Sequence, residues 1–402
     1  MLRMNQYRRR AIGLVELMVA MALCIGIMWI LAESFKLGLD MTRELRATGK
    51  MVNHLDGAKA IMTHDLAKDH FLREQTPWSG VRLSQQRCDL LNGTTGTGWA
   101  PPLHGFFRIF SPAPTNQLTD ADGFSMNIAT NCALHFTSVL PAAERNLFTV
   151  KASNGLTYSS RAAEIAYFLV ESGQKTSANG QMLYKLIRRQ RLVAVSTDET
   201  AQLKAGINSA ADTEVIAGVY DANPLLKKVY TLAEIRNPAL RLKIDPSTFP
   251  VVSAATPIFG LGHLREGEDL LLTGVLSFEV QVDWSPNTAG TPLPATADDV
   301  PGSTLGPRTP AQGNWDYPFD SLAYPAGNAG QNTLNGAGGV NGLFDTWIGA
   351  PLNPNWNTGL SLGTQTAEKL PLAIRVKQLK ITLRVFDSST KQTRQSTFVV
   401  EM

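Results

Sequence analysis

The 402-residue chain is 44% hydrophobic and 18% charged, the balance of a protein that buries a core rather than of a disordered one. Its formal charge of +3 is carried by the N-terminus: Arg3, Arg8, Arg9 and Arg10 fall within the first eleven positions, which hold no acidic residue. The rest carries 33 basic against 34 acidic residues, so the basic balance marks a targeting segment and argues against a nucleic-acid surface.

From Ala11 to Ala32 runs a 22-residue apolar stretch broken only by Glu16. At about 1.5 Å per residue it covers roughly 33 Å, enough to cross a hydrocarbon core of about 30 Å. The arginines before it predict a cytoplasmic N-terminus with the remainder exported. A secretory signal has a shorter apolar core and a small-residue cleavage site. Here the run is longer and closes on "ILAESF", so an anchor is expected. Glu16 is the anomaly: a charge at bilayer depth costs about 2.5–3.5 kcal/mol even on lenient insertion scales.

Basic leader, lone glutamate and apolar helix stand in a register that resembles the N-termini of type IV prepilins and type II secretion pseudopilins. In that family a peptidase cuts before an apolar helix whose fifth residue is glutamate. Aligning "VELMVAMAL" on Glu16 makes Ala11 the last leader residue and Ile12 the first mature one. The resemblance implies cleavage between Ala11 and Ile12, methylation of the Ile12 amine, and pairing of Glu16 with that amine on a neighbouring subunit. Such an amine is cationic at neutral pH, and a buried ion pair tolerates desolvation only with both members present. Three residues depart from the family's habit: Ala11 stands where Gly is usual, Ile12 where Phe is, and Gly13 where Thr is. A cut after Gly13 would put Glu16 at the third position and lose the register.

Beyond the membrane run, Phe35, Gly38, Thr42, Leu45, Gly49, Val52, Leu55, Ala58, Met62 and Leu66 recur at steps of three and four. They predict one continuous helix over 12–72, transmembrane to about residue 32 and then amphipathic, stopped by the proline of "EQTPW". Residues 73–402 read as a β-rich domain. "HGFFRIFSP" and "CALHFTSVL" are short aromatic strands, and "AEIAYFLVES" with "MLYKLIRRQRLVAV" predicts a hairpin around residues 173–181. "DLLLTGVLSFEVQVDW", "LPLAIRVKQLKITLRVFD" and the closing "RQSTFVVEM" alternate as half-buried strands do. Residues 285–368 hold most of the Gly–Pro–Asn clusters and one basic against six acidic residues, and read as a surface insertion with short structure of its own. Cys88 and Cys132 fall in the exported part, where a disulfide is permitted; two buried thiols would look the same.

No motif here carries catalysis. "GLSLG" (359–363) has the nucleophile-elbow spacing but no later histidine. "TDADGFS" lacks the remaining oxygen ligands of a calcium loop, and "GTTGTG" lacks the Lys-Ser/Thr of a phosphate loop. "HDLAKDH" (64–70) spaces its histidines six apart, wrong for a metal pair on a helix, and reads as a solvated helix face. Arg189 and Arg191 share a strand face, also read as solvated. No metal, cofactor or nucleic-acid partner is expected.

The expectation is therefore an α+β, pilin-like fold, a long N-terminal helix packed on an antiparallel β-sheet domain. The strand order resembles the J-type minor pseudopilin and, at this level, minor pilins of the type IV pilus. That likeness implies a single-pass inner-membrane subunit with a periplasmic domain. Its partners would be other pseudopilins or pilins, the prepilin peptidase, the inner-membrane assembly platform and secreted cargo. An envelope enzyme or binding protein on an uncleaved signal anchor is the alternative; it would need neither the cut at Ala11 nor Glu16.

Overall fold

The computed structural model describes residues 13–73, 80–85, 104–111, 116–119, 125–130, 132–141, 144–177, 180–237, 240–242, 267–285, 315, 343–347, 375–388 and 390–402. In chain order these form α1 (Leu14–Leu66), β1 (Phe71–Leu72), β2 (Gly80–Val81), β3 (Phe107–Phe110), β4 (Asn116–Thr119), β5 (Ser125–Ile128), β6 (Ala133–Val139), β7 (Phe148–Lys151), β8 (Thr157–Ser160) and β9 (Ala162–Lys175). There follow β10 (Met182–Val193), α2 (Thr197–Gly206), β11 (Gly218–Val219), β12 (Lys228–Val229), β13 (Glu268–Ser285), β14 (Leu343–Asp345), β15 (Arg375–Asp387) and β16 (Gln392–Glu401). Two units divide the chain, Met1–Val52 and Asn53–Met402, and α1 contributes to both.

In the second unit eight strands make one antiparallel sheet in the order β14-β3-β6-β9-β10-β13-β15-β16. The expected hairpin is β9–β10, paired from Met182↔Lys175 to Val193↔Ala162. Long helix and large antiparallel sheet together make the unit α+β.

Burial follows position in the sheet. All seven residues of β6 and the first eight of β9 are buried, so this part is covered on both faces. One face takes the C-terminal part of α1, whose Leu55, Ala58, Met62 and Leu66 form the buried stripe that the helical period foretold. The opposite face takes residues from the segment that follows α2. Ala217, Leu232 and Ile235 pack there with Phe106, Val139, Ala162, Val193 and Trp347. The pairing of β13 shifts register on both sides of Val275, next to Gly274, which has φ +67° and approaches the Phe386 carbonyl too closely for a Cβ.

Two expectations change. Helix α1 closes at Leu66, short of residue 72, and no proline is needed to stop it. The next residues trade helical bonds for strand bonds. Val139 N–H donates to the Asp69 carbonyl (2.7 Å), His70 N–H to Val81 (3.0 Å) and Leu72 N–H to His104 (3.1 Å). The Gly/Pro/Asn-rich stretch is more than surface decoration, because its residues Leu343–Asp345 join the main sheet as the edge strand beside β3.

Candidate functional site

In the first unit the large apolar side chains of α1 from Leu14 to Leu45 stand exposed. From Leu14 to Leu31 the large apolar residues are 54–75% exposed, and the helix is long and apolar enough to cross a membrane. Glu16 lies in its first turn, where a carboxylate complements the helix dipole. It accepts a hydrogen bond from the Gly13 N–H at 3.3 Å. Among the described residues it has no cationic partner. Past the apolar run the helix turns to water-type pairs, Glu33 with Lys36 (3.9 Å) and Asp40 with Arg43 (3.7 Å). Cys24 is an exposed thiol within the run. Ala11 and Ile12, the expected cleavage and methylation positions, lie outside the described residues.

The second unit carries its charges inside. Arg189 and Arg191 share a strand face as expected, yet that face is covered rather than solvated: the two are 3% and 6% exposed. Arg191 donates Nε–H to Glu164 Oε2 at 2.8 Å, and Arg189 pairs with Glu214 and Glu268. Oε1 of Glu164 accepts from His135 Nε2 at 2.8 Å and from the Leu242 N–H at 2.7 Å. Burial alone would raise the Glu164 carboxyl; Arg191, His135 and the Leu242 N–H outweigh it and hold it at about 2. Burial lowers His135, so the neutral ring is the donor to Glu164.

Beside this cluster Arg241 donates to Asp345 (2.6 Å) and to the carbonyls of Ile235 (2.9 Å) and Arg236 (2.6 Å). Its guanidinium lies 3.9 Å over the Phe106 ring. Arg191 also reaches the Leu240 carbonyl at 3.0 Å. Residues 235–237 and 240–242 are thus fastened to the sheet by charge-assisted bonds, in addition to apolar packing.

The "HDLAKDH" segment is a second correction. Asp65 is 2% exposed and His70 fully buried. Asp65 accepts from Arg188 Nε (2.6 Å), the Tyr167 hydroxyl (2.7 Å) and Lys68 Nζ (3.1 Å). Burial pushes its carboxyl up, but these partners, Arg188 foremost, hold it below the ordinary range. His70 has left the helix and packs edge-on against Phe107 and Phe136. Its Nδ1 meets the Thr137 carbonyl at 3.1 Å, and burial drives its pKa down to about 4. A groove of about 1430 Å³ opens between α1 and the β7–β8 hairpin. Asp65, Lys68 and Arg188 line it already paired with one another.

Cys132 is a buried free thiol 3.1 Å from the Ser111 hydroxyl, pushed up to about 12 by burial. Cys88, with which a disulfide was expected as one alternative, lies outside the described residues, as do "GLSLG", "GTTGTG" and the centre of "TDADGFS". Among the described residues no three His, Cys, Asp or Glu side chains converge as a metal site would require. Sequence reasoning missed the buried charges; the observed register of the β9–β10 hairpin sets Arg191 opposite Glu164.

No family model, curated protein or solved structure matches this chain.

Proposed function

We infer that the protein is a minor pseudopilin, a structural subunit built into the short periplasmic pseudopilus of a type II secretion system. One observation carries the reading: a lone carboxylate in fixed register heads an uninterrupted helix, whose apolar first part is exposed and whose last part is buried on an antiparallel sheet. An exposed apolar helix needs lipid or other helices around it, and Glu16 within it needs a cation. The amine of Ile12 on an adjacent subunit supplies both the charge and the position. The apolar first part would pack against other pilin helices, while the sheet unit would present its surface to further minor subunits or cargo. The same physics serves a minor pilin of a type IV pilus, which is the close variant.

Intact-mass and N-terminal peptide analysis of the membrane-extracted protein tests this. A mature chain beginning at methylated Ile12 is the expected result. A terminus upstream of Ala11 overturns the reading in favour of a signal-anchored protein.

A further inference from the structure

Among the described residues past Ile61, seven large apolar side chains remain exposed. Four of them, Val219, Tyr220, Leu225 and Leu226, fall at the tip of the β11–β12 hairpin. Leu225 is 84% exposed and Leu226 62%. A pair of leucines so displayed is costly in water, since apolar area is the main thing folding removes from solvent.

The tip is held in that posture. Its base sits in the core: Ile216, Ala217 and Val229 are buried. Ala217 N–H donates to Leu192 (2.8 Å) and Tyr230 N–H to Ala217 (2.7 Å). At the turn the Asn223 N–H donates to the Asp221 carboxylate (2.8 Å) and the Leu225 N–H to the Asn223 side-chain oxygen (3.0 Å). The Leu226 N–H donates to the Asn223 carbonyl at 3.0 Å. These are local side-chain-to-backbone turns of the kind Asp and Asn favour. They fix the backbone at both leucines.

What surrounds the leucines selects the partner. Lys227 Nζ lies 5.6 Å over the Tyr220 ring, and Lys228 pairs with Glu234 at 2.6 Å while lying 5.8 Å over Tyr230. Four apolar side chains are far fewer than the roughly 20–30 residues a side of a stable protein interface. An exposed apolar tip backed by tyrosine and lysine matches a bilayer interface instead. Leucines enter the acyl boundary, tyrosine sits at headgroup depth, and lysine stems extend their ammonium groups to the phosphates. We propose that the β11–β12 tip docks on a phospholipid surface, with Leu225 and Leu226 entering it and Lys227 meeting anionic headgroups, while Lys228 stays paired with Glu234. This contact is distinct from the pairing of Glu16 and the packing of the apolar part of α1.

The test uses the full chain with Cys24→Ala and Cys88→Ala, reconstituted in vesicles of phosphatidylethanolamine and phosphatidylglycerol; the remaining Cys132 is buried. A nitrobenzoxadiazole label goes on Leu225→Cys, on Leu226→Cys or, as control, on Leu156→Cys, which replaces a residue 61% exposed in the β7–β8 turn. Labels at 225 and 226 are expected to be quenched at least twofold by doxyl-labelled lipid and shielded from aqueous iodide, with the label at 156 open to iodide. Lys227→Ala should weaken the docking equilibrium about fivefold on anionic vesicles. Labels at 225 and 226 that stay open to iodide and untouched by doxyl lipid overturn the proposal. So does shielding from both quenchers, which would mean that protein covers the tip. Flotation of the same samples reads the α1 anchor by itself, so losing the anchor and losing tip contact are distinct results.

Discussion

Residues 14–31 and the sheet unit invert each other's chemistry. In the first, every large apolar side chain is more than half exposed and a single carboxylate stands among them. In the second, Asp65, Glu164, Arg189, Arg191 and Arg241 are buried, each with an opposite charge inside the same unit. The difference tells where each region finds its partners. A buried charge is tolerable only when its counter-charge comes with it, and the sheet unit brings its own. Among the described residues the exposed apolar helix with its one carboxylate has no counter-charge, and on the function proposed above its complement comes from lipid and other chains.

The comparison breaks most visibly if the internal pairs are dispensable. Glu164→Gln leaves Arg191 without its carboxylate. It should lower the unfolding free energy of the sheet unit by about 3–5 kcal/mol, read as a fall in urea midpoint by the fluorescence of Trp347, which is 4% exposed. An unchanged midpoint would mean that these charges are solvated after all.

A smaller effect comes from pH. The buried His70 is held at about 4 against an ordinary value of 6.5, so the unfolded chain takes up its proton first as pH falls. Stability from this group is present above pH 6.5 and is lost as pH falls to about 4, a total of about 3 kcal/mol. His70→Gln should flatten that limb of the stability–pH curve. Glu164 acts lower on the scale: its stabilising charge persists down to ordinary carboxylate values and is lost only as pH falls toward about 2. A His70→Gln curve that still bends between pH 6.5 and 4 would assign the limb to another group.

The legible parts of the sequence were those with a local period. The stripe ending in Leu55, Ala58, Met62 and Leu66 follows the helical repeat, and the strands of the main hairpin alternate or run apolar between turn signals. Buried charges have no such signature. Arg189 and Arg191 show the same spacing whether their face meets water or Glu164 and Glu214. Arg241 and Asp345 come from segments over a hundred residues apart, and no local pattern links them. The end of α1 was misplaced for a related reason. Asp69–Leu72 leave the helix because distant backbone at Val81, His104 and Val139 is there to pair with them. Glu16 stands out in the sequence because it violates its own surroundings, a lone carboxylate in the first turn of an exposed apolar helix.

The smallest effect on folding is expected at Glu16, the residue on which the proposed function depends most. Glu16→Ala should leave the urea midpoint of the sheet unit within about 0.5 kcal/mol of the parent, as for a side chain outside that unit's packing. The decisive quantity is the share of the variant recovered in sheared filaments rather than in the membrane fraction. The account predicts that this share falls at least tenfold while processing at Ala11 continues; recovery in filaments at the parent level would contradict it.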